Sequence, residues 1–269
     1  MNMSVFKDKV TVITGAGSGI GRALARQLSD AGAHLALGDK DDAGLKATFA
    51  LLSSVTDVTS YKIDVCDRNA YQVFVKQVIT DHKHVDIVIN NAGIVRLHSI
   101  TQSTYEDYEK TLNVNFWGVL YGCKEFLPYL KQRPRAWLAN MSSGAGIIGL
   151  TNYSSYNASK FAVRGLTESL RNELRDTNIT VSCIHPGGVR TNIHKSGVFS
   201  PDSEESYKKL GKLIEGMSVE KAAKIILNGM AKGKKRILVG NDLKLADLIV
   251  RLMPNNYEDL ISWIGRNRW

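Results

Sequence analysis

The chain has 269 residues, of which 43% are hydrophobic and 23% are charged, and its formal net charge at pH 7 is +9. This length and composition allow a substantial buried core and lie within what one α/β domain uses. The charge surplus falls late, because residues 206–269 hold 13 lysines and arginines against 6 aspartates and glutamates. That region contains no known nucleic-acid module and no aromatic-interleaved strand pattern, so no nucleic-acid partner is expected.

The cysteines and the N-terminus indicate the compartment. Cys66, Cys123 and Cys183 are far apart and lack the paired spacing of zinc ligands, so we expect reduced thiols and no metal site. The chain reaches an apolar strand within its first ten residues and has no signal-peptide core. No apolar run approaches the roughly 20 residues that span a bilayer. A soluble, cytoplasmic protein is predicted.

Short apolar runs alternate with longer helical patterns along most of the chain. Strands are predicted at 10–14, 33–38, 60–64, 86–90, 136–141, 180–185 and 236–240. Helices are predicted at 19–31, 41–53, 68–83, 104–131, 155–176 and 219–232. This alternation is typical of an α/β fold, in which helices cover both faces of a parallel sheet.

Two segments depart from the alternation. Residues 188–217 follow the sixth strand and are polar and irregular, which is typical of a functional lid or mobile loop, so we expect the substrate loop here. Residues 241–269 form an extension with apolar residues at helical spacing. Two short amphipathic helices, interrupted at Pro254, are predicted for it.

A glycine-rich sequence, T-G-A-G-S-G-I-G from Thr14 to Gly21, follows the first predicted strand. In such a turn the backbone can approach a pyrophosphate, and the N-terminus of the next helix supplies amide donors and a positive dipole. A plain structural turn is the alternative. As a dinucleotide site, the turn would contact the cofactor through Gly15, Ser18, Gly19, Ile20 and Gly21.

Asp39 ends the second predicted strand, where its carboxylate could accept hydrogen bonds from an adenosine ribose and would repel a 2′-phosphate. A helix-capping or loop aspartate is the alternative. Lys40 follows directly and could partly offset the repulsion. NAD is therefore favoured over NADP as cofactor.

Four further motifs appear in the order found in the short-chain dehydrogenase/reductase family, which the chain resembles over roughly residues 6–240. They are Asp64-Val65, N-N-A-G ending at Gly93, Ser142-Ser143 with Tyr156 and Lys160, and P-G-G-V-R-T from Pro186 to Thr191. The resemblance implies one Rossmann-like NAD(P)-binding catalytic domain over 1–240. It also implies a doubly wound, seven-stranded parallel sheet of order 3-2-1-4-5-6-7.

The resemblance also implies roles for these motifs. Asp64 would accept a hydrogen bond from the adenine amino group, with the Val65 amide beside it. The segment Asn91, Ala92 and Gly93 would pass the adenosine ribose. The nicotinamide ring and its carboxamide would be held by Pro186, Gly187, Val189 and Thr191.

Tyr156 and Lys160 have a spacing that suits proton transfer. Hydride transfer at a carbinol carbon needs a group that moves the hydroxyl proton, and a tyrosine can do so if its pKa falls towards the working pH. Lys160 lies four residues later, on the same helical face, where its ammonium favours the phenolate. Tyr153 has the uncharged Asn157 at that position. Of the two tyrosines, only Tyr156 has a lysine four residues later, so the spacing selects Tyr156, which also matches the family pattern Y-x-x-x-K.

Two further catalytic residues are implied by the resemblance. Ser143 matches the serine that hydrogen-bonds the substrate oxygen, and Ser142 is expected to be structural. Asn115 matches the helix asparagine that holds a water linked to the lysine and completes a proton relay. An asparagine among apolar helix neighbours is otherwise explained by exposure or a kink.

The predicted activity is hydride transfer between NAD(P) and a small-molecule secondary alcohol or ketone. Apolar residues of the 188–217 loop, with Ile147, Ile148 and Leu150, favour an apolar substrate, although a helix stripe would produce the same residues. The alternatives are an enzyme similar to the 3-oxoacyl-acyl-carrier-protein reductases, or a nucleotide-sensing scaffold without catalysis. Asp39 and the long extension depart from the reductase pattern, and the complete catalytic set argues against a scaffold.

The extension leaves two questions about partners. The resemblance implies a homotetramer, but the extension could cap or replace one interface of that tetramer, so a homodimer and a homotetramer are both left open. Its apolar stripe, surrounded by arginines, could also rest on a membrane surface. An intramolecular or oligomer contact is the favoured alternative.

Overall fold

The computed structural model describes residues 3–52, 57–191, 193, 198–199 and 216–260. Its nine strands in chain order are β1 (Val10–Thr14), β2 (His34–Asp39), β3 (Val58–Lys62), β4 (Ile87–Asn90), β5 (Arg96–Leu97), β6 (Ala136–Met141), β7 (Ile179–Pro186), β8 (Val198–Phe199) and β9 (Arg236–Val239). Seven of them form a parallel sheet in the order β3-β2-β1-β4-β6-β7-β9. When the seven are numbered among themselves, this is the predicted order 3-2-1-4-5-6-7, so the predicted fold class is confirmed.

The strand order reverses between β1 and β4, which are neighbours in the sheet although β2 and β3 separate them in the chain. Loops leaving the carboxyl ends of these two strands therefore diverge and leave a crevice. Ligands of open α/β sheets bind in crevices of this kind.

Strands β5 and β8 form a separate parallel pair, in which Arg96 lies opposite Val198 and Leu97 opposite Phe199. This pair was not predicted, because two residues are too few for an alternation pattern to show. It connects part of the predicted 188–217 loop to the segment after β4. Most of the rest of that loop, including residues 194–197 and 200–215, lies outside the described residues.

The helices are α1 (Gly19–Asp30), α2 (Asp42–Phe49), α3 (Arg68–His82), α4 (Tyr105–Leu112), α5 (Gly118–Leu130), α6 (Ser154–Glu173), α7 (Val219–Ala231) and α8 (Asn241–Leu252). The predicted single helix over 104–131 is divided into α4 and α5 by a π-helical turn at Asn113–Trp117. Helix α4 starts at a capping box, in which the side chains of Thr104 and Asp107 accept hydrogen bonds from each other's backbone amides. A π turn inside a helix often marks a functional site.

Two apolar cores lie on opposite faces of the sheet. Alternation along β1 divides its side chains, since Ile13 belongs to one core and Val10 and Val12 belong to the other. The first core packs α1 and α7 against the sheet, and the second packs α3, α5 and α6. Because both faces are covered, β1 is buried along its whole length and reads as a continuous apolar run.

Helix α8 lies in the predicted extension and packs on the edge strand β9. Arg236 at the start of β9 makes a bidentate ion pair with Asp247, at 2.7 and 3.0 Å. The opposite face of α8 exposes Leu245, Leu248 and Leu252. The helix ends two residues before Pro254, and residues 261–269 of the predicted second helix lie outside the described residues. None of the helices described is long and apolar enough to cross a membrane.

Candidate active site

The glycine-rich turn leaves β1 and enters α1 in a conformation that requires glycine. Gly15 and Gly19 have φ values of +67° and +54°, in the left-handed region. A Cβ atom on Gly21 would overlap the carbonyl oxygen of Gly15, and one on Gly15 would lie 2.8 Å from Cα of Ala92. The turn is therefore packed so closely against the segment after β4 that only glycine fits.

Helix α1 begins without a side-chain cap. Ser18 is the N-cap residue, but its exposed side chain makes no capping hydrogen bond. Ile20, one residue into the helix, is partly buried and packs against the first core. Uncapped amides at a helix N-terminus bind phosphate groups. This end of the turn therefore fits the pyrophosphate of a dinucleotide.

Asp39 at the end of β2 is fixed by two backbone amides. Its Oδ2 accepts a hydrogen bond from the Gly17 amide at 2.8 Å, and its Oδ1 accepts one from the Asp41 amide at 3.0 Å. Arg22 in turn donates to the Gly17 carbonyl and, through Nε, to Thr48 at 3.0 Å. The carboxylate is thus held beside the glycine-rich turn, at the position expected for an adenosine ribose contact.

Asp64 lies two residues beyond β3, because that strand ends earlier than predicted. Its side chain is exposed, and its Oδ1 accepts a hydrogen bond from the Cys66 amide at 3.0 Å. Burial, with the adjacent Asp64 carboxylate, raises the pKa of the Cys66 thiol to about 12. Val65 is buried, and a Cβ atom on Gly118 of α5 would lie 2.9 Å from its side chain.

The segment after β4 is bonded to the end of β1. The hydroxyl of Thr14 accepts hydrogen bonds from the amides of Asn91, at 3.1 Å, and Ala92, at 3.2 Å. The Asn91 side chain donates to the carbonyls of Thr14 and Gly15, at 2.9 and 3.1 Å. These bonds hold the two sides of the crevice together. Thr14 was not predicted as a site residue.

Asn115 connects this segment to α6 from the π turn. It is fully buried, accepts a hydrogen bond from the Ile94 amide at 2.8 Å and donates to the Ile94 carbonyl at 3.0 Å. It also donates to the hydroxyl of Ser159 at 3.0 Å, and Ser159 donates to the Tyr156 carbonyl at 2.7 Å. The helix-disfavouring residue is thus explained by buried hydrogen bonds. Ser159 was not predicted, although it lies one turn after Tyr156.

Ser143 follows β6, and its hydroxyl can both accept and donate a hydrogen bond. Its hydroxyl accepts a hydrogen bond from the Ala145 amide at 3.2 Å, so its own proton can be donated elsewhere. Its carbonyl lies 3.0 Å from Nδ1 of the buried His185. Ser142 is buried and donates to the Lys160 carbonyl at 2.8 Å.

Tyr156 and Lys160 lie one turn apart on α6, beside Ser143. The pKa of Tyr156 is raised above its ordinary value, because burial raises it by more than a hydrogen bond with Ser143 lowers it. Lys160 is buried, with Nζ 3.0 Å from the Met141 carbonyl oxygen and 5.6 Å from the centroid of the Tyr156 ring. Burial lowers the pKa of Lys160 to about 8. The lowering of the Tyr156 pKa by Lys160 stays a prediction.

The side chains of Lys160 and Asn115 both approach Gly93. A Cβ atom on Gly93 would lie 3.2 Å from Oδ1 of Asn115 and 3.4 Å from Nζ of Lys160. The segment after β4 therefore contacts both the glycine-rich turn, through Ala92, and the catalytic candidates, through Gly93.

The segment after β7 closes the far side of the crevice. Pro186 is buried at the end of the strand, and the Gly187 amide donates to the Val239 carbonyl at 2.9 Å. Val189 pairs with Met217 in an isolated bridge. A Cβ atom on Gly19 would lie 3.6 Å from the Thr191 side chain, so this segment reaches the start of α1.

The site has the features of one class, the dinucleotide-binding α/β proteins. These features are a glycine-rich turn at the reversal of the strand order, an uncapped helix N-terminus and a carboxylate at the end of the next strand. The family described as short chain dehydrogenase matches residues 9–198. "Putative oxidoreductase SadH" of Mycobacterium tuberculosis is 40% identical over 265 residues, which cover 97% of this chain and 96% of that protein. The chain belongs to the short-chain dehydrogenase family of oxidoreductases.

Solved structures agree with this membership. A short-chain dehydrogenase/reductase from Burkholderia phymatum in complex with NAD aligns with a TM-score of 0.86 at 28% identity, covering 94% of this chain and 95% of that one. An alcohol dehydrogenase from Thermococcus sibiricus complexed with 5-hydroxy-NADP aligns with a TM-score of 0.75 at 25% identity, covering 87% and 96%. The two similar structures thus hold different nicotinamide cofactors.

Proposed function

We propose that this protein interconverts a secondary alcohol and its ketone with a nicotinamide cofactor, and that Tyr156 is the general acid and base. The observation that carries the proposal is the grouping of Ser143, Tyr156 and Lys160 at the carboxyl end of β6. Lys160 also approaches Gly93, whose segment is bonded to the glycine-rich turn. A proton-transferring group therefore lies close to the crevice that fits a dinucleotide.

When bound, the cofactor supplies the hydride acceptor for alcohol oxidation or the hydride donor for ketone reduction. The Ser143 hydroxyl, which accepts a hydrogen bond from the Ala145 amide, would donate a hydrogen bond to the substrate oxygen in place of the one it makes with Tyr156. Tyr156 takes the proton of the substrate hydroxyl during oxidation and returns it during reduction. In this proposal the hydroxyls of Ser143 and Tyr156 both contact the same substrate oxygen.

Lys160 and Asn115 have supporting roles in this proposal. With a pKa of about 8, Lys160 is mostly charged at pH 7, and its ammonium favours the phenolate of Tyr156 by Coulomb attraction. Asn115 holds the Ile94 backbone and, through Ser159, the backbone of Tyr156. We propose that the π turn around Asn115 also holds the water of a proton relay from Lys160.

We propose NAD as the preferred cofactor. The carboxylate of Asp39 is fixed beside the turn by the Gly17 amide, where it would accept bonds from a ribose and repel a 2′-phosphate. The pyrophosphate would contact the amides after Ser18. The remaining contacts are those expected from the resemblance, with adenine at Asp64 and Val65, ribose at Asn91, Ala92 and Gly93, and nicotinamide at Pro186, Gly187, Val189 and Thr191.

We also propose an apolar substrate, but not all the residues that favoured it in the sequence lie where they were expected. Ile147 and Ile148, which were expected beside the substrate, are buried against Leu243 of α8. Support for an apolar substrate now rests on the apolar residues in the sequence of the 188–217 loop, most of which lies outside the described residues. A homodimer or homotetramer and a cytoplasmic location stay predictions, as do the division at residue 240 and a membrane contact through the exposed face of α8.

The test follows reduced-nicotinamide absorbance with NAD and a panel of secondary alcohols. Tyr156→Phe removes the phenol oxygen that takes and returns the proton, and should lower kcat at least about 100-fold, because general acid–base catalysis contributes roughly that much or more. Its dissociation constant for NAD should change less than about two-fold. The matched control is Tyr153→Phe, which removes the neighbouring hydroxyl and should keep most turnover. Near-normal turnover by Tyr156→Phe would contradict the assignment.

A further inference from the structure

The inner face of α8 lies against the segment that carries Ser143. Leu243 is only 5% exposed and is buried in a cluster with Ile147 and Ile148. A Cβ atom on Gly144 would lie 3.1 Å from Cδ1 of Leu243, which is a close contact. Leu243 therefore packs directly against the residue that follows Ser143.

A second contact joins α8 to the segment predicted to hold the nicotinamide. A Cβ atom on Gly187 would lie 2.8 Å from Oδ2 of Asp242, in the first turn of α8. Beyond the helix, Tyr257 packs against the cluster that contains Ile147 and Ile148. The extension thus contacts the segments after both β6 and β7.

Ion pairs fix α8 to the sheet. Asp247 is 9% exposed, and Arg251 adds a bond at 3.0 Å to the bidentate pair that Arg236 makes. Burial acts to raise the pKa of this carboxyl, but the two guanidinium groups outweigh it and hold the pKa below its usual range. Charge-assisted bidentate pairs fix orientation as well as position. These ion pairs fix the orientation of α8 against the edge of the sheet.

His185 on β7 makes a further contact with this segment, because its Nδ1 lies 3.0 Å from the Ser143 carbonyl oxygen. His185 is fully buried. The segment thus contacts both β7 and α8, and removal of the Leu243 side chain would leave the contact with His185 in place.

We propose that α8 positions Ser143 for catalysis, with Leu243 as the residue that makes the contact. The inference rests on the proposed function. The match to the family covers residues 9–198, so this support comes from a part of the chain beyond the matched region. A displacement of about 1 Å at a catalytic group can lower turnover roughly 100-fold, which makes the position of Ser143 decisive.

The first experiment measures hydrogen exchange in the ligand-free protein, which does not depend on activity. Leu243→Ala should increase amide exchange in the peptide over residues 142–150. Leu245→Ala is the matched control, because Leu245 lies on the same helix but is 55% exposed, and it should leave exchange in this peptide unchanged. Equal exchange in the two variants would overturn the proposal.

The second experiment compares kcat with the dissociation constant for NAD. Leu243→Ala should lower kcat roughly ten-fold and change NAD binding less than about two-fold, whereas Leu245→Ala changes neither. Leu243→Met, which conserves volume, should restore kcat. If Leu243→Ala does not fold, Leu243→Val replaces it and should lower kcat by a smaller factor.

The outcomes separate the two proposals. Absence of turnover by the wild-type protein would contradict the proposed function, while the exchange experiment would still report the contact. Increased exchange at 142–150 with unchanged kcat would show that Leu243 supports the segment without positioning Ser143, and would overturn this inference alone.

Discussion

Replacing Asn115 by alanine tests whether this residue joins the segment after β4 to the catalytic helix. The buried amide makes three hydrogen bonds, two with the Ile94 backbone and one with Ser159. Each contributes about 1 kcal/mol net to stability. Asn115→Ala should therefore lower the free energy of unfolding by about 3 kcal/mol, with coupling among the three bonds as the main source of deviation.

Urea unfolding followed by tryptophan fluorescence measures this change. Asn113→Ala is the matched control, because Asn113 lies in the same π turn but is exposed, and it should change the free energy of unfolding by less than about 0.5 kcal/mol. We also expect Asn115→Ala to lower kcat about ten-fold, since the Tyr156 backbone loses its link to Ile94. Equal destabilisation by the two variants would refute the reasoning.

Two further predictions concern the cofactor and pH. Asp39→Asn should increase kcat/KM for NADP relative to NAD at least about ten-fold, because a charge that repels the 2′-phosphate is lost; an unchanged ratio in steady-state assays would contradict the assigned role. Burial lowers the pKa of His185 to about 4. The unfolded protein therefore binds more protons than the folded protein between about pH 4 and 6.5, and the free energy of unfolding falls as the pH is lowered through this range. The urea midpoint should fall less between pH 7 and 5 in His185→Gln than in the wild-type protein, and identical falls would exclude His185 as the cause.

Features that depend on local sequence were predicted. The central strands β1 and β4 are short, mostly apolar runs because both faces of the sheet are buried there, and this burial is visible in each run by itself. The glycine-rich turn was recognisable because positive φ values and close backbone contacts allow only glycine at Gly15 and Gly21. The pairing of Tyr156 with Lys160 followed from a fixed spacing on one helix. Their chemical roles remain proposals.

The sequence by itself thus determined the fold class, the order of the elements and the candidates for the site, because these depend on residues close together in the chain. Tertiary structure alone decided that Asn115 reaches Ser159, that His185 holds Ser143 and that Leu243 packs against Gly144. These contacts join residues tens of positions apart, so no local periodicity reports them. They form only when packing of helices on a twisted sheet brings the segments together, and it is this packing that gives α8 its place beside the candidate active site.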